Sequence, residues 1–247
     1  MSRFYGLTII VENTNAEYHT LNDWGLYIQN TDFIGEPQQV KNLVYVPGRD
    51  GFLDLSKTHA GNIIYSSRPI SVELAGFESK HNWDAIVSML RNEISGRICR
   101  FIFDNDKAYF WRGRVTINGF SSQLSVGTLR IEMPEAEPYK YSVHSSAEPW
   151  LWDPFCFATD YITYIGAITV SGSRTVSIPH GHMPTSPEFV VSNKTSGTFT
   201  VTYAGTAYDL SVGSNKIPSI KVGGDSDVSL TFTGTAKVEI VYRSGSL

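Results

Sequence analysis

The stretch "NWDAIVSMLRNEISGRICRFIFDNDKAYFWRGRVTI", Asn82 to Ile117, changes its hydrophobic period halfway along. In its first half Trp83, Ile86, Val87, Leu90 and Ile94 recur at spacings of three and four, which gathers them on one face of a helix. Asn82 is placed to cap the start, Asp84 suits the positive end of the macrodipole, and Gly96 fits the left-handed position through which a chain leaves a helix. After Gly96, "RICRFIF" and "AYFWRGRVTI" are rich in aromatic and branched residues. The polar run Asp104-Asn105-Asp106-Lys107 between them reads as a hairpin turn. A calcium loop would alternate oxygen ligands and add a glycine and a terminal glutamate, which this run lacks. One helix feeding a β-hairpin is the expectation.

Strand patterns continue on both sides of this stretch. "YGLTIIV", "VKNLVYV" and "ISVELAGF" precede it and "TLRIEM" follows, each alternating or clustering β-formers. Between the second and third lies "VPGRDGFLDLS", Val46 to Ser56. Pro47-Gly48 starts a turn there, Asp50-Gly51 supplies the positive-φ pair of a tight hairpin, and Phe52, Leu53 and Leu55 resume the alternation as packing candidates. Arg49 falls at the tip, where an inter-subunit contact or a local salt bridge suits it better than catalysis.

Composition shifts near residues 140 to 150, at the proline-punctuated "EPYKYSVHSSAEPWLWDPF". Residues 1–142 hold 14 of the 20 basic and 16 of the 24 acidic side chains. The remainder is rich in Ser, Thr and Gly, with short runs "YITYIGAITV", "RTVSIP", "EFVVS", "GTFTVTYA", "TAYDLSV", "NKIPSIKV", "DVSLTFTG" and "AKVEIVY". Such spacing predicts a compact antiparallel sandwich. The chain is therefore expected to be mainly β, with domains at 1–142 and 143–247.

The formal charge of −4 lacks the basic footprint that binding free nucleic acid requires. Two distant cysteines, Cys99 and Cys156, read as reduced thiols rather than a disulfide scaffold. No apolar stretch approaches a signal-peptide core or the roughly 20 residues of a membrane span, so a soluble chain made in a cytoplasm is expected. The sequon Asn193-Lys194-Thr195 then reads as turn chemistry.

Candidate chemistry is sparse. His180 and His182 could present two imidazoles to one metal ion from an extended chain, but no third donor lies close in sequence. Asp50 and Asp54 could be imagined as the carboxylate pair of a cell-wall hydrolase. Trp150 and Trp152, on one side of an extended segment, could stack on sugar rings of host cell-wall polysaccharide, or simply pack a linker. No nucleophile elbow, phosphate loop or dinucleotide fingerprint is present. Neither enzymatic activity nor a cofactor is expected.

Three marks now stand in order: the Pro-Gly-Arg-Asp-Gly turn with its following strand, the Trp83-led helix ending in "ISGRICRFIFDND", and "YFWRGRVTI" followed by "TLRIEMPEAEPYKYS". This succession, across most of residues 1–142, resembles the distal tail proteins (Dit) of long-tailed, non-contractile bacteriophages. The resemblance implies a virion structural protein at the distal end of the tail, made in the host cytoplasm. Its tail-tube-like N-terminal β-sandwich, flanked by one helix, would close a hexameric ring. A galectin-like C-terminal sandwich would carry baseplate or receptor-binding components. Implied partners are further copies of the chain, the tail-tube protein and the lysin-like tail-tip protein, with DNA passing through unspecifically and no membrane involved. The sugar-binding pattern of true galectins is not traceable in residues 150–247, so a carbohydrate-binding module is the alternative reading rather than a corollary. Candidate subunit contacts are Arg49, Asp50, Asp104, Asp106 and Lys107, with the supposed loop Thr14 to Asn22.

Overall fold

The computed structural model describes residues 5–29, 33–57, 63–77, 80–123, 126–149, 164–195 and 197–247. The chain is mainly β and divides into two compact units, Met1–Lys140 and Tyr141–Leu247.

The first unit runs β1 (Leu7–Val11), β2 (Ala16–His19), α1 (Thr20–Trp24), β3 (Tyr27–Ile28), β4 (Phe33–Ile34), β5 (Leu43–Tyr45), β6 (Phe52–Asp54), β7 (Arg68–Gly76), α2 (Lys80–Glu93), β8 (Ile98–Phe103), β9 (Tyr109–Arg114), β10 (Thr116–Gln123) and β11 (Val126–Ala136). One sheet has the order β9-β8-β1-β2, and a second has β10-β11-β7-β3 with β4 also on β7. Their inner faces share one core. Leu7, Ile9, Phe101 and Phe103 come from the first sheet, and Val72, Leu74, Leu129 and Ile131 from the second. In β8 the buried residues are Cys99, Phe101 and Phe103, the period-2 pattern of a strand with one wet face.

"AYFWRGRVTI", read in sequence as one run, is two strands in two different sheets. The change happens at Val115, which is fully buried, donates its N–H to the Arg97 carbonyl and accepts from the Gly96 N–H. A continuous β-former run has no local signal for such a corner. It is dictated from outside, by the end of α2 held against it.

Helix α2 begins at Lys80, so Asn82 lies in the first turn and is not its cap. An apolar stripe marks only a buried face, and the residues ahead of Trp83 carry none of it. Gly96 does take the left-handed conformation, with φ of 77°. Arg97 and Arg114 donate to the Asn92 and Gly96 carbonyls, satisfying acceptors that the helix end leaves open. The single flanking helix expected is joined by a second, the five-residue α1, capped at one end by the His19 ring and at the other by left-handed Gly25. The supposed loop Thr14 to Asn22 is thus mostly β2 and α1, turned off β1 by Asn15 at φ of 52°.

From the boundary onward β12 (Lys140–Ser142), β13 (Ala167–Ile178), β14 (Glu188–Ser192), β15 (Thr200–Tyr203), β16 (Thr206–Asp209), β17 (Gly213–Lys216), β18 (Val228–Val241) and β19 (Gly245–Ser246) follow in order. One sheet, β16-β15-β18-β14-β17 with β13 also on β18, encloses the core. The stretches read as breaks at Ser171-Gly172-Ser173 and at Gly234 lie inside β13 and β18, directly opposite each other. Both glycines have positive φ, 85° and 122°. They bend two long strands rather than end them, so β18 pairs with β14 beyond the bend and with β15 before it. Phe232 then meets Phe189 edge-on at 5.9 Å and stacks on Phe199 at 6.0 Å. "NKIPSIKV" stops being a strand at Lys216, where Pro218 removes a ladder donor.

Steric room separates two kinds of glycine. A Cβ on Gly127 would sit 2.3 Å from Trp83, whereas one on Gly172 meets nothing within 4 Å. Gly127→Ala is expected to lower stability by about 3 kcal/mol through overpacking, and Gly172→Ala by about 1 kcal/mol through its positive φ alone. Urea unfolding monitored by tryptophan fluorescence measures both, and equal losses would contradict this account.

Candidate functional site

Strands β5 and β6 belong to neither sheet of the first unit. They form the outer part of a two-stranded arm built from residues 38–57 and 63–66, whose root is held by Ser66 N–H to the Gln38 carbonyl and Val40 N–H to the Ile64 carbonyl, both 2.8 Å. Farther out the Leu55 N–H reaches the Asn42 carbonyl, and the Asn42 N–H reaches the Ser56 hydroxyl at 2.9 Å. Val40, Leu43, Val44, Tyr45, Phe52 and Ile64 all lie exposed on this arm. Tyr45 and Phe52, 65% and 63% exposed, face each other across the strands with rings 6.4 Å apart. A lone two-stranded hairpin is marginal in water, and clustered exposed apolar residues mark a contact surface.

The stretch Val46 to Ser56 is the arm's turn. Gly48 and Gly51 take positive φ but Asp50 does not, so the Asp-Gly positive-φ pair is not what closes it. Phe52, expected to pack, is exposed, because among the described residues no second layer covers this hairpin. Arg49 and Asp50 are exposed at the tip and form no ion pair among the described residues. Asp54 accepts from the Ser56 hydroxyl and N–H, which hold its carboxyl below the usual range. A general acid needs the opposite shift.

Asp104, Asp106 and Lys107 lie in the β8–β9 turn, as the hairpin reading had it, and the two acids are spent on internal contacts. Asp104 accepts from the Gly6 N–H at 2.6 Å, pairs with His19 Nε2 at 3.2 Å and has Lys107 at 3.7 Å. The Asn22 N–H donates to His19 Nδ1, so Nε2 carries the proton that His19 gives to Asp104. Asp106 pairs with Lys140 at 2.7 Å. Of the three, Lys107 is the one with its side chain mostly in solvent. On the outer face of the same sheet Arg112 joins Glu12 at 2.8 Å and also Glu137, while Arg100 joins Glu12 at 3.0 Å. Sequence reasoning missed this network; its signal is the period-2 placement of Arg100 and Arg112 on the wet faces of β8 and β9, which register pairs directly.

His180 is bound through both its backbone N–H and Nδ1 to Asp227, at 2.9 and 2.8 Å, an acid 47 positions away that sequence could not associate with it. No group of three metal-ligating side chains occurs among the described residues. A cavity of about 10 Å³ beside His180, His182 and Tyr242 is no larger than one water. Burial pushes the Cys99 thiol up to about 11, so it is inert packing. Asn193 takes φ of 51°, in keeping with turn chemistry at the sequon. Trp150, Trp152 and Cys156 lie outside the described residues.

These features define a class: a mainly β chain of two units with an exposed apolar arm and charged groups spent largely on internal pairing. The particular likeness is to the Dit protein (gp 19.1) of phage SPP1, a hub protein of the adsorption apparatus in phages infecting Gram-positive bacteria. The two align over 98% of this chain and 99% of that one, at TM-score 0.55 and 13% identity, so the chain has the Dit fold. Chains of the phage p2 baseplate in its activated conformation, with Sr and with Ca, align at TM-scores 0.43 and 0.35 and 11% and 10% identity, over 96% of this chain and 98% of theirs. No protein-family model and no curated protein matches the sequence.

Burial pushes the Asp104 carboxyl up, but the Gly6 N–H and His19 outweigh it, and the net shift is downward. A carboxyl lowered by folding contributes stability above its unfolded value, and that contribution is lost as pH falls through the lowered one. Asp104→Asn is therefore expected to lower stability by about 1–2 kcal/mol at pH 7 and to flatten the loss of stability below about pH 4. Denaturant titrations from pH 7 to pH 2.5 test this; an unchanged acid limb would contradict it.

Proposed function

We propose that this chain is a structural subunit of a phage tail tip, closing with further copies of itself into a hexameric ring that joins the tail tube to the tail-tip and receptor-binding components. The first unit forms the ring and the second, galectin-like, faces the baseplate. The protein acts by assembly and carries out no reaction. The observation that carries this reading is the arm: six large apolar side chains, four of them on β5 and β6, with no layer over them among the described residues. Such a surface is stable in water when a neighbour covers it. A heterologous contact, arm to a different patch on the next copy, closes into a ring when the rotation permits. The end-to-end alignment with a phage hub protein supplies the setting.

Polar groups decide register more than affinity in such contacts, so the exposed Arg49, Asp50 and Lys107 are assigned to partner choice. DNA passes through the ring without specific binding, in line with the net charge of −4.

The double substitution Tyr45→Ser with Phe52→Ser is expected to abolish ring formation while shifting Tm by only a few degrees, because both side chains are exposed in the isolated chain. Native mass spectrometry and negative-stain electron microscopy, with the tail-tube protein added as template, read the outcome. A wild-type chain that stays monomeric on that template, or a double variant that still forms rings, would overturn the proposal.

A further inference from the structure

Arg68 is a buried arginine whose charge is not matched. It begins β7 at 3% exposure, and its Nε and Nη2 have no hydrogen-bond partner among the described residues. Its guanidinium lies 4.7 Å from the centre of the Trp111 ring, a contact that supplies attraction but no acceptor. Buried donors without acceptors are destabilising, so a carboxylate within reach is drawn to them.

The register of the sheet identifies that carboxylate. Strands β4 and β7 pair antiparallel with Phe33 opposite Ser71 and Ile34 opposite Ile70. The Gly35 N–H then bonds the Pro69 carbonyl at 2.8 Å. One further step puts Glu36 opposite Arg68, and opposite residues of an antiparallel pair share a face with their Cβ atoms about 5 Å apart. Glu36 is the one charge that acts on Arg68 noticeably, yet its side chain is exposed and forms no ion pair among the described residues. Both residues sit where the two strands of the arm leave the sheet, Glu36 two positions before Gln38 and Arg68 two after Ser66.

We propose that Glu36 and Arg68 form a cross-strand latch at the root of the arm: open in the arrangement described here, it closes by rotation of the Glu36 side chain onto the guanidinium and fixes the angle at which the arm leaves the sheet. The latch acts on the arm of the isolated chain; its further consequence, that a fixed arm assembles at lower protein concentration, rests on the ring reading above.

Hydrogen exchange followed by NMR tests the latch in the full chain. Glu36→Gln is expected to speed exchange of the Val40 and Ser66 amides about threefold, leaving the Val72 and Leu74 amides unchanged. In an Arg68→Met background, which keeps packing against Trp111, the same substitution is expected to change nothing. Should Arg68→Met fail to fold, salt replaces it: the difference between wild type and Glu36→Gln should close toward 1 M salt, where screening acts over about 3 Å. Unchanged Val40 and Ser66 exchange in Glu36→Gln, or a difference that survives both the Arg68→Met background and salt, overturns the latch. The concentration at half assembly, read by light scattering, should rise in Glu36→Gln. A chain that never assembles while its arm amides respond would sink the ring reading and leave the latch standing.

Discussion

The indole of Trp83 decides how the first unit closes. It is fully buried, and the space it fills exists because the facing strands carry glycines there: a Cβ on Gly127 would lie 2.3 Å from the ring, and one on Gly76 would be 3.4 Å from it. Register places Gly76 and Gly127 opposite each other, so two adjacent strands open one notch. An anchored Trp83 fixes the start of α2; the helical stripe through Val87, Leu90 and Ile94 then determines where its end falls. That end meets Val115 through the bonds of Gly96 and Arg97, and the corner at Val115 sends the chain from one sheet to the other. The order is physical: a notch without side chains, a helix seated in it, and a strand turned by the helix end.

The second unit solves the same problem of making two layers with no helix among its described residues. Here β13 and β18 run twelve and fourteen residues, and the sheet they share encloses the core of the unit. Facing glycines at 172 and 234 make the bend, and Gly234 is also a place where a Cβ would sit 2.6 Å from the Thr198 carbonyl. Phe189, Phe199 and Phe232 fill the space between the halves, with ring geometries that are favourable beyond area burial.

Most strand positions and the long helix were legible because each has one wet and one dry face, and burial writes a period into the residues. What stayed hidden lacked a period. Glycine within a long strand resembles glycine in a turn, so β13 and β18 each read as two strands. The Val115 corner lies inside an unbroken run of β-formers. Phe52 read as a packing residue since apolar alternation cannot say whether a second layer is present. Among the candidate contacts, Asp104 looked like a surface charge, but its partners Gly6 and His19 are 98 and 85 positions away. His180 found Asp227 in the same way. Side-chain pairings over such separations leave no local trace.

For the ring proposed above, Leu43, Val44, Tyr45 and Phe52 also give a reason why an arm would suit a subunit better than a broad flat face. A large apolar face on the body of a sandwich would compete with folding itself, offering the unfolded chain a wrong surface to collapse on. Six apolar residues on a narrow two-stranded arm expose little area at once and are spaced from the core, so the isolated chain tolerates them. Their burial becomes substantial only when a neighbour encloses both faces of the arm together, which β5 and β6 permit because no part of the described chain covers either face. Association is then steep in concentration and geometry: a partner that meets one face alone gains about half the apolar area, whereas a partner shaped to receive the whole arm gains all of it. In the assembly proposed above, selectivity would follow from the arm's thinness, with the charged residues at its tip assigned to register.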